Sequence, residues 1–376
     1  MRESKGLENP IVPSLFSMAR EEGLELYAVG GAVRDRLLQR SPSGDIDFVY
    51  KGGSIDRVVG RLQKRVRFKA VPFDNKGFST LRLCFKSLII DFQPLHASGL
   101  HQDALHRDFT VNALYLEQKQ KGLTLLDPLN GEKDLADGLL KETSEQSFDQ
   151  DPLRILRLFR FASQLGFRYE KGTLRLAARS VQKLSCISPE RIKDELIKIF
   201  SKPMQGLLSD MSGLCLFDLL AGFHPRSVPE FPAGEPVINL FLLFSENGRS
   251  GELVSFLKAF RFSKKDIEIA AALHLFEETE EEAVIGRFHK KSSWLLERLK
   301  DFCLMTRQKG KRERLEDISC YGSPLLDGRE AARLFHVSGP ALGALMDALH
   351  ILQIEKRLTR KEELILAAEK RNGKEY

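Results

Sequence analysis

The chain has 376 residues, of which 42% are hydrophobic and 29% charged, with a formal net charge of +6. This composition suits a folded chain of two or three compact units and excludes a wholly disordered one. No apolar run approaches the roughly 18–20 residues needed to span a bilayer, and MRESKGLENPIVPSLFSMAR lacks the basic, apolar and small-residue blocks of a leader. The expectation is a cytoplasmic protein without membrane contact.

In chain order, ELYAV (25–29) predicts a strand, AVRDRLLQR (32–40) a helix and DIDFVY (45–50) a second strand. RFKAVPF (67–73), FSTLRLCF (78–85) and SLIIDFQPL (87–95) follow as β-rich runs, and FTVNALYLE (109–117) and LTLLDP (123–128) continue them. Several of these connections are too short for crossover helices, so an α+β region with a mixed sheet is expected. From Asp151 the pattern turns helical. DPLRILRLFRFASQLGF (151–167) has apolar residues at helical spacing, with Asp151-Pro152 at its start and Gly166 at its end. SPERIKDELIKIF (188–200) predicts a helix capped by Ser188, with Pro189 in its first position.

AGFHPRSVPEFPAGEP (221–236) holds four prolines and reads as a linker, and EETEEE (277–282) as a solvated helix end. Between Arg287 and Arg314 stand ten Lys/Arg against three acids, an excess that suits a polyanion or a solvated helix face. The five cysteines are scattered without a CxxC, which fits reduced thiols and argues against zinc.

Residues two apart on a strand face the same side, so Asp45 and Asp47 project together while Ile46 and Phe48 face a core. Adjacent carboxylates repel unless a cation neutralises them, and hard ions such as Mg²⁺ take all-oxygen ligands together with substrate phosphates. Gly30 and Gly31, between strand and helix, let backbone N–H groups approach a phosphate at a helix N-terminus. Asp91 ends the apolar run SLIID, where a neighbouring strand can bring it to the same cluster. Each signal alone has a plainer reading: a turn, a solvated strand, a strand-end acid. Together they suit two-metal phosphoryl or nucleotidyl transfer, with the reaction left open.

VGGAVRDRLLQRSPSGDIDFVY (29–50) resembles the signature of class II tRNA nucleotidyltransferases and bacterial poly(A) polymerases, a branch of the polymerase β superfamily. HRDFTVNAL (106–114) is similar to that family's ribose-contacting motif, and LLDPLNGEKDL (125–135) to the segment after it. QDPLRILRLFRFASQLGF (150–167) resembles the Glu-Asp-x-x-Arg motif and its helix, SPERIKDEL (188–196) the next helical motif, and 324–365 the tail of the tRNA enzymes.

The resemblance implies a polymerase-β-like nucleotidyltransferase head over residues 1–140 and a helical nucleobase-recognition neck over 141–220. An all-α body and tail over 221–376 is expected to bind the tRNA 3′ acceptor end. Asp45 and Asp47 are expected to hold Mg²⁺, with Asp91 assisting near the primer hydroxyl. Gly30, Gly31, Arg34 and Asp35 shape the phosphate loop, and Arg107, Asp108 and Asn112 lie on the ribose side. Arg157 and Arg160 reach the triphosphate. Asp151 and Arg154, at i and i+3, place an acceptor beside a donor. Cytosine and adenine present the complementary pair of edges and guanine and uracil the reverse, so this pair can select C and A without a template. Asp151 also suits a plain helix N-cap.

Three departures stand out. His106 replaces the first arginine of the ribose motif, Gln150 replaces the glutamate of the base-reading motif, and only fifteen residues (92–106) separate Asp91 from Arg107. That short interval resembles the cut-down loop of relatives that add only the two cytidines. The expected activity is addition of CMP, with or without AMP, to tRNA from CTP and ATP. A poly(A) polymerase and a catalytically silent RNA-binding homologue are the rival readings.

Overall fold

The computed structural model describes residues 6–41, 44–75, 78–96, 99–120, 122–202, 206–227, 229, 234–278, 293–306, 308, 311–313, 315 and 324–372. The chain divides into two compact units, Met1–Ile187 with Gly213–Leu220, and Ser188–Ser212 with Ala221–Tyr376.

The first unit opens with α1 (Ile11–Glu21), β1 (Glu25–Val29), α2 (Gly31–Leu37), β2 (Asp45–Lys51) and α3 (Ile55–Gln63). The runs expected to be β-rich become β3 (Lys69–Asn75), β4 (Phe78–Cys84) and β5 (Ile89–Pro94), followed by α4 (Leu100–Leu105), β6 (Tyr115–Lys119), β7 (Gly122–Leu126) and α5 (Gly131–Ala136). Among the described residues, seven strands form one sheet in the order β3-β4-β5-β2-β1-β6-β7. The β2–β5 pair is parallel and its neighbours are antiparallel, so the sheet is mixed as expected.

Strand alternation assigns the two faces. Ile46, Phe48, Ile90 and Phe92 are buried on one of them. There Phe48 stacks on Phe92 with ring centroids 5.4 Å apart and meets Phe16 of α1 edge-on at 5.6 Å. Val58, Val59 and Leu62 of α3 are buried as well, each worth roughly 1.5–3 kcal/mol over an exposed position. On the opposite face Tyr27, Val29, Val49 and Tyr115 pack with Leu95, Ala113 and Ala104 of α4. Asp45 and Asp47 lie on this second face, just beyond its apolar patch, and both reach solvent.

Two local expectations need correction. FTVNALYLE is not one strand: Thr110–Asn112 forms a 3₁₀ turn before β6. The Asp108 carboxylate accepts from the Phe109 N–H at 2.8 Å and from Asn112 Nδ2 at 3.0 Å, and such local side-chain bonds compete with a strand ladder. The helix expected from Asp151-Pro152 starts later. Ser147–Gln150 forms a short helix, α6, Asp151 is extended at φ −146° and ψ 93°, and α7 spans Arg154–Leu165. Pro152 disfavours the helical region for the residue before it, which excludes Asp151 from the helix. Gly166 ends α7 at φ +72°, as its position predicted.

The chain continues as α8 (Lys171–Ser180), α9 (Pro189–Phe200), α10 (Leu207–Gly213), α11 (Leu216–Ala221), α12 (Pro236–Glu246), α13 (Leu253–Ala259), α14 (Lys264–Glu278) and α15 (Ser293–Met305). Ser188 and Pro189 occupy the expected cap and first positions of α9, although the Ser188 side chain makes no capping bond. In the second unit the rings of Phe241 and Phe276 meet Phe302 edge-on at 5.6 and 6.2 Å. The fully buried Asn239 donates from Nδ2 to the Phe200 carbonyl at 2.7 Å, tying α12 to the end of α9.

The tail forms α16 (Gly328–Phe335), α17 (Pro340–Glu355) and α18 (Lys361–Asn372) around Leu326, Ala331, Met346, Leu349, Leu352, Leu364 and Ala368. A capping box of Asp327 and Glu330 starts α16. Among the described residues no single helix is long and apolar enough to cross a membrane.

Parts of three sequence features lie outside the described residues: 228 and 230–233 of the proline-rich stretch, 279–282 of the acidic run, and Arg287, Lys290, Lys291, Arg307, Lys309 and Arg314 of the basic one. Of the remaining basic residues, Arg298 pairs with Glu235 and Asp301, Lys300 pairs with Glu297, and Lys311 lies over the Phe276 ring.

Candidate active site

The register of the sheet builds the site. Asp47 on β2 lies opposite Asp91 on β5, and Asp91 lies opposite Arg82 on β4. On its other side Asp47 faces Val29, and Val29 faces Tyr115. Partnered residues share a face, so one transverse row runs Arg82, Asp91, Asp47, Val29, Tyr115, with Asp45 two residues upstream of Asp47. The structure thus brings together the three carboxylates that the sequence placed on separate strands.

Gly30 closes this row from the side. Its φ of +82° with ψ −145° is a conformation that L side chains rarely adopt. A Cβ there would stand 3.2 Å from Asp47 Oδ2 and 3.9 Å from Arg107 Nη1. The turn therefore needs glycine twice over, for its backbone and for the space beside the carboxylate. Gly31 begins α2.

Asp47 reaches solvent on this face, although protein groups crowd its carboxyl. Burial pushes its carboxyl above the usual range, Asp91 and Asp45 push in the same direction, and Arg107 and Arg157 oppose them. Asp91 is held by Arg82 through two bonds, Nε to Oδ1 at 2.8 Å and Nη2 to Oδ2 at 2.7 Å. Arg107 is fixed by Asp103, which its Nε reaches at 3.0 Å, and by the Tyr115 hydroxyl at 3.1 Å. Tyr115 donates to the same Asp103 oxygen at 2.7 Å.

A second, buried cluster centres on Asp108. Its Oδ1 accepts from Phe109 and Asn112, and its Oδ2 takes Nε of Arg157 at 2.9 Å together with that residue's Nη2. Burial alone raises an acid, but Arg157, Asn112 and the Phe109 N–H outweigh it and hold Asp108 well below the ordinary carboxylate range. Asn112 passes the chain on by accepting from Arg34 Nη1 at 2.8 Å, and Arg34 also donates to Asp35 from Nε at 2.9 Å. The guanidiniums of Arg34, Arg157 and Arg160 converge on the Phe161 ring at 5.2, 5.5 and 4.1 Å from its centroid. Three cations about one ring make a region suited to a polyanion.

Asp151 and Arg154 are both buried. They are joined through a turn rather than along a helix face, with the Arg154 N–H donating to the Asp151 carbonyl at 3.0 Å. The Arg154 guanidinium is tied to Ser147, whose carbonyl and hydroxyl accept at 3.1 and 2.9 Å, and to the backbone carbonyl of His106. The short 92–106 interval is therefore coupled to the pair through its last residue. His106 also faces His96 across it, ring centroids 4.6 Å apart, while 97–98 lie outside the described residues.

Sequence reasoning did not single out Arg82, Asp103, Tyr115, Ser147 or Phe161. A signal existed for two of them. The turn at Lys86-Ser87, closed by a Phe85 N–H to Leu88 carbonyl bond at 2.8 Å, sets Arg82 opposite Asp91. Asp103 stands four residues before Arg107. For Tyr115, Ser147 and Phe161 the partners come from distant segments.

Residues 26–141 match the family model of the poly A polymerase head domain. A CC-adding tRNA nucleotidyltransferase of Geobacter sulfurreducens is 38% identical over 194 residues, which is 51% of this chain and 44% of that protein. From Halalkalibacterium halodurans, a CC-adding tRNA nucleotidyltransferase is 34% identical over 187 residues and an A-adding one 33% over 205, each across 50% of this chain and 47% of the relative. The chain spans about half the length of the curated relatives it matches.

Among solved structures, a CCA-adding enzyme in complex with CTP aligns with a TM-score of 0.67 at 23% identity, covering 95% of this chain and 93% of that one. The Thermotoga maritima CCA-adding enzyme complexed with tRNA aligns at 0.65 and 22%, covering 95% and 94%. Residues 26–141 are therefore a poly(A) polymerase-type head domain, and the chain carries the fold of CCA-adding enzymes.

Proposed function

We propose that this protein is a template-independent tRNA nucleotidyltransferase that adds CMP to the 3′ acceptor end, using CTP. The observation that carries the reading is the row of Asp45, Asp47 and Asp91 on one sheet face beside Gly30, whose missing side chain leaves room at the Asp47 carboxylate. Curated relatives that each match about half of the chain bear CC-adding and A-adding names, so the tRNA reading is favoured over a poly(A) polymerase. The short 92–106 interval favours CC addition over full CCA addition.

The residues fit a divalent ion. Asp45 and Asp47 offer hard oxygen donors in solvent contact, and burial with the neighbouring acids raises the proton affinity of Asp47, an effect that a bound cation would offset. We assign Mg²⁺ to Asp45 and Asp47; when bound, it supplies Lewis-acid stabilisation of the phosphoryl group and of the attacking hydroxyl. Arg34, Arg157 and Arg160 orient the triphosphate against α7. Asp108 and Asn112 set the ribose side while holding Arg157 and Arg34 in place. Arg107, of the same ribose-side motif, stands beside Gly30 and Asp47. Asp91 is placed beside the primer hydroxyl.

Asp151 and Arg154 read the base edge, with Arg154 restrained by Ser147 and His106 so that its orientation is set before the nucleotide arrives. We assign residues 1–140 to catalysis, 141–220 to base recognition and 221–376 to tRNA binding by shape and backbone charge. We place the protein in the cytoplasm, on the tRNA-processing reading itself.

The test uses tRNAs ending before, within and after the CC, each incubated with CTP or ATP alone, with products sized on a gel. CMP addition without AMP addition is the expected result. AMP addition after CC makes it a CCA-adding enzyme, and long ATP-dependent ladders overturn the tRNA reading.

A further inference from the structure

Asp91 is gripped through both of its oxygens, an unusual state for an acid beside an expected metal site. Arg82 reaches it from the adjacent strand at 2.8 and 2.7 Å in the two-pronged geometry that only a guanidinium supplies. The pair is not core structure. The Arg82 side chain is 41% exposed and Asp91 15%, so the pair sits at the surface beside Asp47.

The charges of the row can be counted. Three carboxylates, Asp45, Asp47 and Asp91, stand on this face; Arg82 pairs with Asp91, while Arg107, beside Asp47, is itself paired with Asp103. Without Arg82 the row is more negative by one charge.

We infer that Arg82 is a positioning residue: by clamping Asp91 it keeps the third acid from taking the divalent ion, leaving the ion to Asp45 and Asp47 and Asp91 fixed beside the primer. This inference rests on the nucleotidyltransferase reading above. A released Asp91 is a hard ligand on the strand next to Asp47, with its charge no longer offset. It therefore draws the ion towards β5, and binding becomes tighter while turnover falls. That combination separates positioning from a merely structural role, which would not tighten metal binding.

The test titrates Mn²⁺ into the full-length protein without nucleotide, following free ion by electron paramagnetic resonance. Arg82→Gln is expected to bind Mn²⁺ roughly tenfold more tightly than wild type, the effect of unmasking one charge within a few ångströms of a divalent ion. Arg82→Lys, which keeps the charge but loses the fork, is expected to fall between them, and Arg82→Gln with Asp91→Asn to return towards wild type. In CMP addition with Mg²⁺, Arg82→Gln is expected to lower kcat with little change in KM for CTP.

Arg82→Gln binding equal to or weaker than wild type overturns the inference. The double variant Asp45→Asn, Asp47→Asn separates the two readings. If it binds Mn²⁺ as well as wild type, the metal site itself is wrong and this inference falls with it. If it loses the ion while Arg82→Gln binds like wild type, only the role of Arg82 is wrong.

Discussion

The carboxylates of β2 and the carboxylate of Asp108 lie in the same unit in opposite electrostatic conditions. Asp45 and Asp47 reach solvent, and Asp47 has its proton affinity raised, by burial first and then by the neighbouring acids. Asp108 is buried, accepts from four N–H groups of three residues, and has its proton affinity lowered. The first cluster is the one to which the proposed function assigns a divalent cation. The second is complete within the fold and serves to hold Arg157 and, through Asn112, Arg34 at a set spacing. Buried carboxylates with satisfied hydrogen bonds fix geometry, and solvent-facing ones with perturbed proton affinity are candidates for ligand contact.

The largest expected effect breaks the first cluster. Asp47→Asn is expected to reduce CMP addition by about a thousandfold or more, a loss of several kcal/mol of transition-state stabilisation. Its stability is expected to move the other way. Because the folded state raises the pKa of Asp47, it binds that proton more readily than the unfolded chain does, and wild-type stability falls as pH rises from the ordinary carboxylate range towards the raised value. Asp47→Asn removes this penalty, so urea unfolding should find it at least as stable as wild type at neutral pH, with the gain fading as pH drops through the carboxylate range.

Asp108→Asn should show the opposite sign. The folded pKa is depressed, so Asp108 contributes stability above the unfolded value that is lost as pH falls through the lower folded one. Leaving Arg157 without its partner is expected to cost about 2–3 kcal/mol at neutral pH, less than for a fully buried pair because Arg157 is partly solvated. The gap from wild type should close in acid. If the two variants shift stability in the same direction at neutral pH, the contrast between the clusters is wrong.

The smallest effect sharpens the boundary between them. Gly30→Ala is expected to cost about 1–2 kcal/mol from backbone strain at positive φ and, by pressing a methyl group on the Asp47 carboxylate at 3.2 Å, to lower activity about tenfold. Melting curves and initial rates measured together would show activity falling beyond what lost folded protein explains.

Much of this was legible because the chemistry is local in the chain. Alternation around Asp45-Ile46-Asp47 and the glycine turn before α2 act within a few residues, so the strands and the carboxylate pair could be read directly. What failed did so for tertiary reasons. The segment 109–117 has strand-like composition, but Asp108 and Asn112 bond to one another and bend it. Asp151 and Arg154 were read as neighbours on a helix, whereas the proline meant to start that helix holds Asp151 outside it.

The sequence by itself determined the α+β head, the helical remainder and the identity of the acids, since periodicity and glycine chemistry need no partner. Only the tertiary structure decided which charges meet. The order β4-β5-β2 sets Arg82 on Asp91 and Asp91 beside Asp47, and the packing of α7 brings Arg157 to Asp108 and Arg154 to His106. Pairing across strands and helices depends on register and packing between segments distant in the chain, and a pattern of period two or 3.6 carries no record of either.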